Sequence, residues 1–570
     1  MPDLSPEQTA ICDNHGPLSV VACAGSGKTR TAVRRLADMQ GKAVGGRVRL
    51  ALLSFSNTAV DTFRADYRKV LEQRPFLSHL SPVEIDTVDS FITGLILRPH
   101  AHRTMQAPRS AFLVTGSEPF LNGFNFYDGT RNQPVKSLVH GRVGGADQFR
   151  FRNGYVMTDV NTTDAVKAVT RLGKTGAYTH DLGRYWAYRT LVENPAITAA
   201  LARRYPYILI DEAQDIGSTQ EAIFDLLIQA GSQLSLIGDA NQAIFEFAGA
   251  TGEFLARHGK REGVTSRGLT VNFRSVPRIV AVANALTARN DTAARPAPLE
   301  LNGAFFIGYA PNDPPKLVET FRNMLATAGL QDSNSVVVCR STNLVKKFGG
   351  TDEPVGRGTV KGLAEASILR DQLGDYPQAF NVALRCVVAL LADGHGDVVS
   401  RVLRGDREAA AVRRRIWSFV RDADSGLPHG SLSAITEWHP KLVKNVKALL
   451  EDLKADHGLE PCATVGQRLN KTDLPDKPLY RKPDLAAPGV VALRTDTVHQ
   501  VKGESIDAVL YVASTAHATD MLAGVATEEG RIGYVALTRA RNLFLLGVPQ
   551  NALAGLRPIL LERGFVEAGP

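Results

Sequence analysis

The sequence predicts an α/β protein in which parallel strands present phosphate-binding groups at their carboxyl ends. The apolar run Leu18–Ala22 enters a loop that contains glycines, and residues 28–39 beyond the loop have a helical composition. A second apolar run, Tyr207–Ile210, leads directly into Asp211 and Glu212. The chain has 570 residues, several times the length of a typical domain of about 150 residues. These three observations predict several α/β units rather than one compact domain.

Composition and charge place the chain among ordinary globular proteins. Hydrophobic residues make up 44% and charged residues 22% of the sequence, which excludes the disordered and fibrous classes. The net charge of +8 is a mild bias that permits a polyanion as partner. Five cysteines stand apart without C-x-x-C spacing, so neither a zinc site nor a disulfide framework is indicated. The polar N-terminal stretch and the lack of apolar runs approaching about 18 residues predict a cytoplasmic protein with no membrane segment.

The loop after the first apolar run has the spacing of a phosphate cradle. Gly25 and Gly27 let successive N–H groups point inward, and the helix that begins near Lys28 adds its positive dipole end. In the motif G-x-x-x-x-G-K-[ST] the lysine reaches the β and γ phosphates and the hydroxyl holds Mg²⁺, which are the positions of Lys28 and Thr29. A glycine turn with an exposed lysine is the alternative. The residues predicted to contact ATP here are Ala24, Gly25, Ser26, Gly27, Lys28, Thr29 and Arg30.

Two carboxylates follow the second apolar run. Because open α/β sheets bind ligands at the carboxyl ends of their strands, Asp211 and Glu212 are expected at the same edge as the phosphate loop. Asp211 suits Mg²⁺, and Glu212 suits the activation of a water for attack on the γ phosphate. Acidic residues after a strand can instead cap the next helix. The presence of the phosphate loop favours the catalytic interpretation.

Together with their neighbours, these segments resemble the UvrD/Rep/PcrA group of superfamily 1 DNA helicases, block after block from near residue 4 to near residue 547. "LSPEQ" resembles the adenine-recognising Q motif, with Gln8 as the recognising residue, and "ACAGSGKT" resembles a phosphate loop in which alanine at the first position is usual. "IDEAQD" is similar to motif II and "LIGDANQAIFEFAGA" to motif III. The resemblance implies that Gln242 senses the γ phosphate and that Phe245 and Phe247 face single-stranded DNA. Ala248 replaces the usual arginine.

Motifs expected to contact DNA also recur in order. "LLSFSNTAVDTF" is similar to motif Ia, and "DTVDSF" to T-x-H-S-F with Asp89 in place of histidine. "TVHQVKGESID" resembles motif V, with Ser505 at the position of a glutamate. The nucleic-acid contacts that the resemblance implies are Phe55, Asn57, Thr87, Phe245, Phe247, Thr497 and His499.

Two further motifs imply that a second lobe completes the ATP site. "LTVNFRS" resembles motif IV, which places Phe273 on adenine and Arg274 on the γ phosphate. "YVALTRAR" is similar to motif VI, in which Arg539 is the arginine finger. Arginines that face the γ phosphate from a second lobe would hold the cleft closed only while that charge is present. The predicted catalytic residues are Lys28, Asp211, Glu212, Gln242, Arg274 and Arg539, with Thr29 and Asp211 on the metal.

The expected architecture is two RecA-like P-loop lobes with parallel sheets, each carrying an inserted accessory subdomain. The first lobe is expected at 1–95 and 185–260 with a partly β insertion at 96–184, and the second at 261–349 and 486–570 with a mainly helical insertion at 350–485. Phe and Arg alternate at 149–152, which indicates either a single-strand binding surface or an ordinary strand with its phenylalanines inward. The arginine-rich stretch 411–422 with its Trp and Phe indicates either a grip on duplex phosphates or a packed helix with a basic exterior.

The resemblance implies an ATP- and Mg²⁺-dependent motor that translocates 3′ to 5′ on single-stranded DNA and unwinds tailed duplex DNA. A partner protein, either a nuclease or a repair or defence factor, is a further expectation. The alternative is a helicase-like ATPase subunit that acts as a nucleic-acid sensor or switch for a partner effector, as in Gabija-type antiphage defence. RNA as the track is disfavoured only by the resemblance.

Overall fold

Two six-stranded parallel sheets dominate the computed structural model of the chain. The structure describes residues 4–41, 48–108, 110–114, 116, 118–153, 156–244, 252–297, 301–311, 313–341, 344–345, 348, 358–371, 374–392, 395, 397–479 and 493–569. The predicted α/β fold with two parallel-sheet lobes is confirmed.

The described strands, in chain order, are β1 (Leu18–Ala22), β2 (Leu50–Ser54), β3 (Val83–Thr87), β4 (Phe112–Leu113), β5 (Asn125–Tyr127), β6 (Asn132–Pro134), β7 (Leu138–Val143), β8 (Ala146–Asn153), β9 (Val156–Val160), β10 (Ala177–Tyr178), β11 (Tyr207–Ile210), β12 (Gln233–Gly238), β13 (Thr265–Leu269), β14 (Val271–Asn272), β15 (Thr292–Ala293), β16 (Gly303–Tyr309), β17 (Ser335–Cys339), β18 (Arg494–Thr497), β19 (Ile506–Val512), β20 (Ala540–Pro549) and β21 (Val566–Glu567).

The described α-helices are α1 (Pro6–Asp13), α2 (Lys28–Gln40), α3 (Asn57–Gln73), α4 (Val88–Ile92), α5 (Arg98–Thr104), α6 (Thr162–Gly173), α7 (His180–Glu193), α8 (Pro195–Arg204), α9 (Ser218–Gln229), α10 (Glu253–His258), α11 (Pro277–Thr287), α12 (Pro314–Thr327), α13 (Gly358–Asp371), α14 (Tyr376–Val388), α15 (Val398–Arg404), α16 (Ala410–Arg421), α17 (His439–His457), α18 (Val465–Arg468), α19 (Thr515–Ala523), α20 (Glu528–Arg539) and α21 (Gln550–Glu562).

The first sheet has the strand order β13-β1-β12-β11-β2-β3, and every pairing in it is parallel. Helices cover both of its faces, which is why β2 is apolar along most of its length rather than alternating. Leu50 and Leu52 pack in the core under α2 and α3. Ala51 and Leu53 face the opposite core, to which α7 and α9 contribute.

The first sheet extends further along the chain than the sequence indicated. β13 pairs with β1 in parallel, from Leu18 opposite Thr265 to Ala22 opposite Leu269. The expected end of the first lobe at residue 260 is therefore too early. β13 is an edge strand with three exposed residues, and its sequence TSRGL lacks the apolar run that marks a central strand.

The second sheet has the order β18-β17-β19-β20-β16-β21 and is also parallel throughout. Side chains of its central strand β17 point alternately into two cores. Val336 and Val338 face the core that contains residues of α11, α19 and α20. Val337 and Cys339 face the core under α12. The valine run of this segment is thus buried on both faces, as the sequence predicts for a central strand.

The first insertion contains an antiparallel sheet of β7, β8 and β9 and a short hairpin of β5 and β6. Gly144 and Gly145 form the turn between β7 and β8, both with positive φ of 58° and 84°, as a two-residue hairpin turn requires. Phe149 and Phe151 are 0% and 2% exposed. The interpretation of this stretch as a stacking surface for single strands is therefore wrong for these two phenylalanines, which belong to the core.

Six helices from α13 to α18 form a separate core within residues 358–479. Trp417 of α16 stacks on Phe380 of α14, with ring centroids 4.3 Å apart, and Cζ of Arg421 lies over the same indole, 4.8 Å from its ring centroid. Arg415 pairs with Asp452 and Asp456 on α17. Stretch 411–422 is thus a packed helix whose aromatic residues are engaged within the subdomain. Within the described ranges, no helix is both long and apolar enough to cross a lipid bilayer.

Candidate functional site

The loop between β1 and α2 forms a tight curl that only glycines permit. Gly25 and Gly27 have φ of 70° and 77°, in the left-handed region that side chains disfavour. A Cβ on Gly25 would lie 2.5 Å from Cβ of Arg274, and a Cβ on Gly27 would lie 2.8 Å from Nε2 of Gln8. The two glycines thus fix the loop's shape and allow two other motifs to approach its backbone.

Gln8 holds the loop from the side of α1. Its backbone N–H donates to Oγ of Ser5, and its Oε1 accepts from the Ser5 N–H, so the two residues form a capping box. Nε2 of the Gln8 side-chain amide donates a hydrogen bond to the carbonyl oxygen of Ser26 at 3.0 Å. Gln8 is 2% exposed, and the predicted adenine-recognising residue therefore lies directly against the phosphate loop.

Asp211 and Glu212 lie at the end of β11, next to the loop. Nζ of Lys28 is 3.8 Å from Oε1 of Glu212, and Gln214 donates to Oε2 of Glu212 at 2.6 Å. Burial raises the pKa of Glu212, but the positive charges of Lys28 and Lys502 outweigh it and hold the pKa below its usual range. Burial and the adjacent Glu212 carboxylate raise the pKa of Asp211.

Arg539 of the second lobe contacts the first lobe. Arg539, the last residue of α20, is 2% exposed and donates from Nη2 to Oε1 of Gln242 at 2.7 Å. Nε2 of Gln242 in turn donates to Oδ2 of Asp239 at 2.8 Å, which fixes which end of the amide faces Arg539. Burial lowers the pKa of Arg539, although a guanidinium stays charged at any physiological pH.

Arg274 and Phe273 both approach the phosphate loop, and Arg274 also contacts the end of α20. Nη1 of Arg274 donates to the carbonyl oxygen of Thr538 at 2.9 Å. Burial and the neighbouring charge of Arg539 lower the pKa of Arg274 to about 9. The Phe273 N–H donates to the Gly25 carbonyl oxygen at 2.9 Å, while its ring is 43% exposed. A free aromatic face next to the phosphate loop suits stacking on a base.

An ion pair that sequence reasoning missed also crosses between the lobes. Nζ of Lys502 lies 2.7 and 2.6 Å from the two carboxylate oxygens of Asp215, and it donates to the Gln242 carbonyl oxygen at 2.8 Å. Both side chains are less than a tenth exposed. Burial raises the pKa of Asp215 to about 6 against the opposing effect of Lys502. Asp215 ends "IDEAQD" and Lys502 lies in "TVHQVKGESID", but nothing in either segment indicates that they pair.

Several buried polar atoms at this seam lack a protein partner. Among the described residues, Oδ1 of Asp211 and both Nε and Nη2 of Arg30 are buried without a hydrogen-bond partner. Buried polar groups are nearly always satisfied, so such atoms indicate a ligand. A carboxylate and a hydroxyl, such as those of Asp211 and Thr29, are oxygen ligands of the kind that Mg²⁺ prefers, and a guanidinium suits a nucleotide. The residues present therefore fit a magnesium nucleotide.

Three of the predicted nucleic-acid residues meet at one cavity. Phe55, Asn57 and Thr87 line a cavity of about 220 Å³ at the carboxyl ends of β2 and β3. Arg98 and His180, which lie within the first insertion, also line this cavity. A guanidinium, an imidazole and a partly buried aromatic ring are groups that can bind a nucleic-acid strand. Sequence reasoning missed Arg98 and His180 because no motif includes them.

Asp89 also lines this cavity, and its structural environment explains the replacement of histidine. Its carboxylate accepts hydrogen bonds from Nε and Nη2 of Arg184 at 2.8 and 2.6 Å, and from Nε2 of Gln220 at 2.8 Å. Burial raises the pKa of Asp89, but Arg184 outweighs this effect and holds the pKa below its usual range. His180 lies 3.7 Å away on the outer side.

The remaining predicted nucleic-acid residues do not join this cavity. Thr497 is buried, and both its N–H and its hydroxyl donate to Oε1 of Gln500. Nε2 of His499 lies 3.2 Å from the Ile244 carbonyl oxygen in the first lobe. The contacts that the structure gives these two residues are thus with protein. Phe245, Phe247 and the replaced position Ala248 lie outside the described residues.

Comparison with known families shows what the chain is similar to. The family model for the UvrD/REP helicase N-terminal domain matches residues 4–144 and 160–261. These ranges contain the phosphate loop, the two carboxylates and Gln242. These matches support a UvrD-like superfamily 1 helicase. The comparisons thus support the predicted family.

The curated relatives of this UvrD-like chain are distant. The ATP-dependent DNA helicase UvrD1 of Mycobacterium leprae is 23% identical over 511 residues, which cover 79% of this chain and 62% of that protein. UvrD1 of Mycobacterium bovis is 25% identical over 476 residues, covering 75% and 57%. The ATP-dependent DNA helicase PcrA of Leuconostoc citreum is 25% identical over 306 residues, covering 50% and 38%. The matched part of the chain thus spans less than two thirds of each of these relatives.

Proposed function

We propose that this UvrD-like chain is an ATP-driven translocase on single-stranded DNA that unwinds tailed duplex DNA in the 3′ to 5′ direction. The observation that carries the proposal is the Arg539–Gln242 hydrogen bond, which brings a cation of the second lobe to the ATP site of the first. The DNA helicases among its relatives support the choice of substrate. The 3′ to 5′ direction follows the family resemblance.

The two lobes divide the chemistry of ATP hydrolysis. The loop from Ala24 to Gly27 and the ammonium of Lys28 bind the phosphates, and Gln8 and Phe273 bind the base. Arg274, Arg539 and Gln242 stabilise the charge that develops on the γ phosphate in the transition state. Glu212, which stays ionised because of its cationic neighbours, orients the attacking water.

Thr29 and Asp211 are the residues that would hold Mg²⁺. When bound, the ion neutralises charge on the β and γ phosphates and polarises them for attack. Oδ1 of Asp211 has no hydrogen-bond partner among the described residues and stays available for this role. Burial of Asp211 excludes competing water, which strengthens every charge interaction at the site.

Hydrolysis is coupled to movement by the contacts between the lobes. Arg539 and Arg274 are attracted to the terminal phosphate while it is covalently bound, and this attraction ends when phosphate leaves. Lys502 and Asp215 then remain as the ion pair that resists opening. We call the cavity lined by Phe55, Asn57 and Thr87 the strand-binding cavity. Closing and opening of the lobes changes the position of this cavity relative to the second lobe.

ATP hydrolysis and strand displacement, measured together, test the proposal. Hydrolysis is measured without nucleic acid and with single-stranded DNA, duplex DNA and RNA, and displacement is measured on duplexes with 3′ or 5′ tails. The proposal requires single-stranded DNA to stimulate turnover and a 3′ tail to permit displacement. Stimulation without displacement on either substrate would favour the alternative, a nucleic-acid switch for a partner effector, and stimulation by RNA alone would make RNA the track. Lys28→Ala serves as the inactive control.

A further inference from the structure

The first turn of α9 is bonded to other elements through three consecutive side chains. Oγ of Ser218 accepts a hydrogen bond from a backbone N–H of β7 at 2.9 Å, and Oγ1 of Thr219 donates to a carbonyl oxygen of β7 at 3.0 Å. Nε2 of Gln220 donates to Oδ1 of Asp89 at 2.8 Å. The start of this helix is thus fixed both to the first insertion and to the wall of the strand-binding cavity.

Gln220 connects the wall of the strand-binding cavity to the loop that follows β11 and carries Glu212 and Asp215, which we call the motif II loop. Its Nε2 bonds to Asp89, and its Oε1 accepts from the N–H of Gly217, the N-cap residue of α9, at 3.0 Å. Gly217 follows Asp215 by two residues, and Asp215 forms the ion pair with Lys502 of the second lobe. Gln220 is only 2% exposed. One buried amide therefore joins a cavity residue to the loop that carries Glu212 and Asp215.

A strand in the cavity would act directly on Asp89. The carboxylate shares the cavity with Arg98 and His180 and is held by Arg184. A phosphodiester brings a negative charge that repels the carboxylate and attracts the guanidinium groups of Arg98 and Arg184, so it changes the electrostatic forces that hold Asp89 in place. Because buried hydrogen bonds are costly to leave unmade, the Gln220 amide must follow any shift of Asp89.

We propose that Gln220 is a positioning residue that relays the presence of a nucleic-acid strand in this cavity to the motif II loop, and so sets the rate of ATP hydrolysis. The inference rests on the proposed function, because it requires a strand in the cavity. It adds a physical route by which strand binding stimulates turnover. Gln220 touches neither strand nor nucleotide and acts through Asp89 and Gly217.

Gln220→Met tests the relay, since methionine fills a similar volume but makes neither hydrogen bond. We expect the stimulation factor, the turnover with saturating single-stranded DNA divided by turnover without it, to fall about tenfold. The Kd for single-stranded DNA should stay within about threefold of wild type, because Gln220 lies behind the cavity wall. A merely structural role would lower the two turnover rates together and leave their ratio unchanged.

Gln40→Met is the matched control in the same lobe. Gln40 is also 2% exposed and donates from Nε2 to the carbonyl oxygens of Leu77 and Ser81, both at 2.9 Å. It has no link to the cavity or to the motif II loop in these bonds. We expect this variant to lose thermal stability while keeping the wild-type stimulation factor.

Gln220→Glu provides a second test, because glutamate has nearly the same shape as glutamine and still offers an acceptor to the Gly217 N–H. The variant should lose stimulation, because its carboxylate faces that of Asp89. A wild-type stimulation factor in Gln220→Met or in Gln220→Glu would overturn the relay. A wild-type chain that DNA does not stimulate would instead refute the proposed function, and the relay with it.

Discussion

Nη2 of Arg539 donates a hydrogen bond to Oε1 of Gln242 across 2.7 Å, and this bond joins the second lobe to the first. Asp239 accepts a hydrogen bond from Nε2 of Gln242, so both ends of the Gln242 amide are held in place. Arg274 reaches the same region and is anchored on the carbonyl of Thr538, the residue before Arg539. Two guanidinium groups held this way are preorganised for a charge that develops between the lobes.

Arg539→Ala should abolish most of the ATPase activity. An arginine that stabilises the transition state of phosphoryl transfer contributes about 10³ to 10⁵ in turnover, so we expect a fall of at least about 10³-fold. Steady-state hydrolysis with saturating single-stranded DNA measures it. Arg557→Ala is the control, because Arg557 is 57% exposed and pairs with Glu567 at the surface. A variant at Arg539 that kept a tenth of the wild-type turnover would contradict the assignment.

Lys28→Ala and Glu212→Gln should separate nucleotide binding from hydrolysis. Lys28 would bind the phosphates, so its removal should weaken nucleotide affinity as well as turnover. Glu212→Gln should leave affinity nearly unchanged and lower turnover by about 10²- to 10⁴-fold, since only the orientation of water is lost. Binding of a fluorescent ATP analogue and steady-state hydrolysis measure the two effects. Thermal unfolding should show both variants folded, and retained turnover in both would refute the site.

Gly25→Ala should disrupt the seam between the lobes. The new Cβ would lie 2.5 Å from Cβ of Arg274 and 2.8 Å from Oδ1 of Asn272. Gly458→Ala is the matched control, since Gly458 has a similar φ of 63° but no neighbouring atom within 4 Å of its Cβ position. Both variants carry the backbone strain of about 1 kcal/mol, and only Gly25→Ala should also raise the KM for ATP. Equal KM values in the two variants would argue against steric control by Arg274.

Phe55→Ala should weaken the binding of single-stranded DNA. A ring that stacks on a base contributes about 1 to 3 kcal/mol, which corresponds to a rise in Kd of about 5- to 150-fold. Fluorescence anisotropy with a labelled oligonucleotide measures this change. Phe76→Ala is the control, because Phe76 is 59% exposed in the same lobe and lies outside the cavity. Equal affinities of the two variants would remove Phe55 from the binding surface.

The stability of the first lobe should decrease in mild acid. His258 is 1% exposed, and burial lowers its pKa below the ordinary value of 6.5. Between these two pKa values the unfolded chain binds a proton at His258 and the folded chain does not. The contribution of His258 to the free energy of unfolding is therefore full above pH 6.5 and is lost as pH falls through the pKa of the folded state. His258→Gln keeps a donor for the Leu234 carbonyl without titrating. Its melting temperature should fall less than that of wild type between pH 7.5 and 5.5, and parallel falls would contradict this assignment.

Local spacing was sufficient to predict the phosphate loop and the two carboxylates, because each depends on a strand and the few residues after it. The pairing of Asp215 with Lys502 depends on two segments 287 residues apart, and no local pattern indicates it. Asp89 appeared in the sequence only as a departure from a motif. Its partners Arg184 and Gln220 lie in α7 and α9. The hydrogen bonds that satisfy the Asp89 carboxylate are therefore visible only in three dimensions.

The fold was predicted where strands are buried on both faces and missed where they are not. β17 has a valine run because two cores cover it, and its sequence indicated a central strand. β13 lies at the edge of the first sheet with polar, exposed side chains, so its place next to β1 could not be predicted. The phenylalanines at 149 and 151 left two interpretations open, because alternation alone does not say which face of a strand meets water.

The Asp89–Arg184 pair limits how far the chain can be shortened. Arg184 lies at the end of the stretch 96–184, so deletion of that stretch would leave the Asp89 carboxylate, only 24% exposed, without its cation. Removing one partner of a largely buried pair costs up to about 3 to 5 kcal/mol, a large share of the roughly 5 to 15 kcal/mol that keeps a domain folded. A shortened chain that keeps only the two sheets would therefore need a neutral residue at position 89.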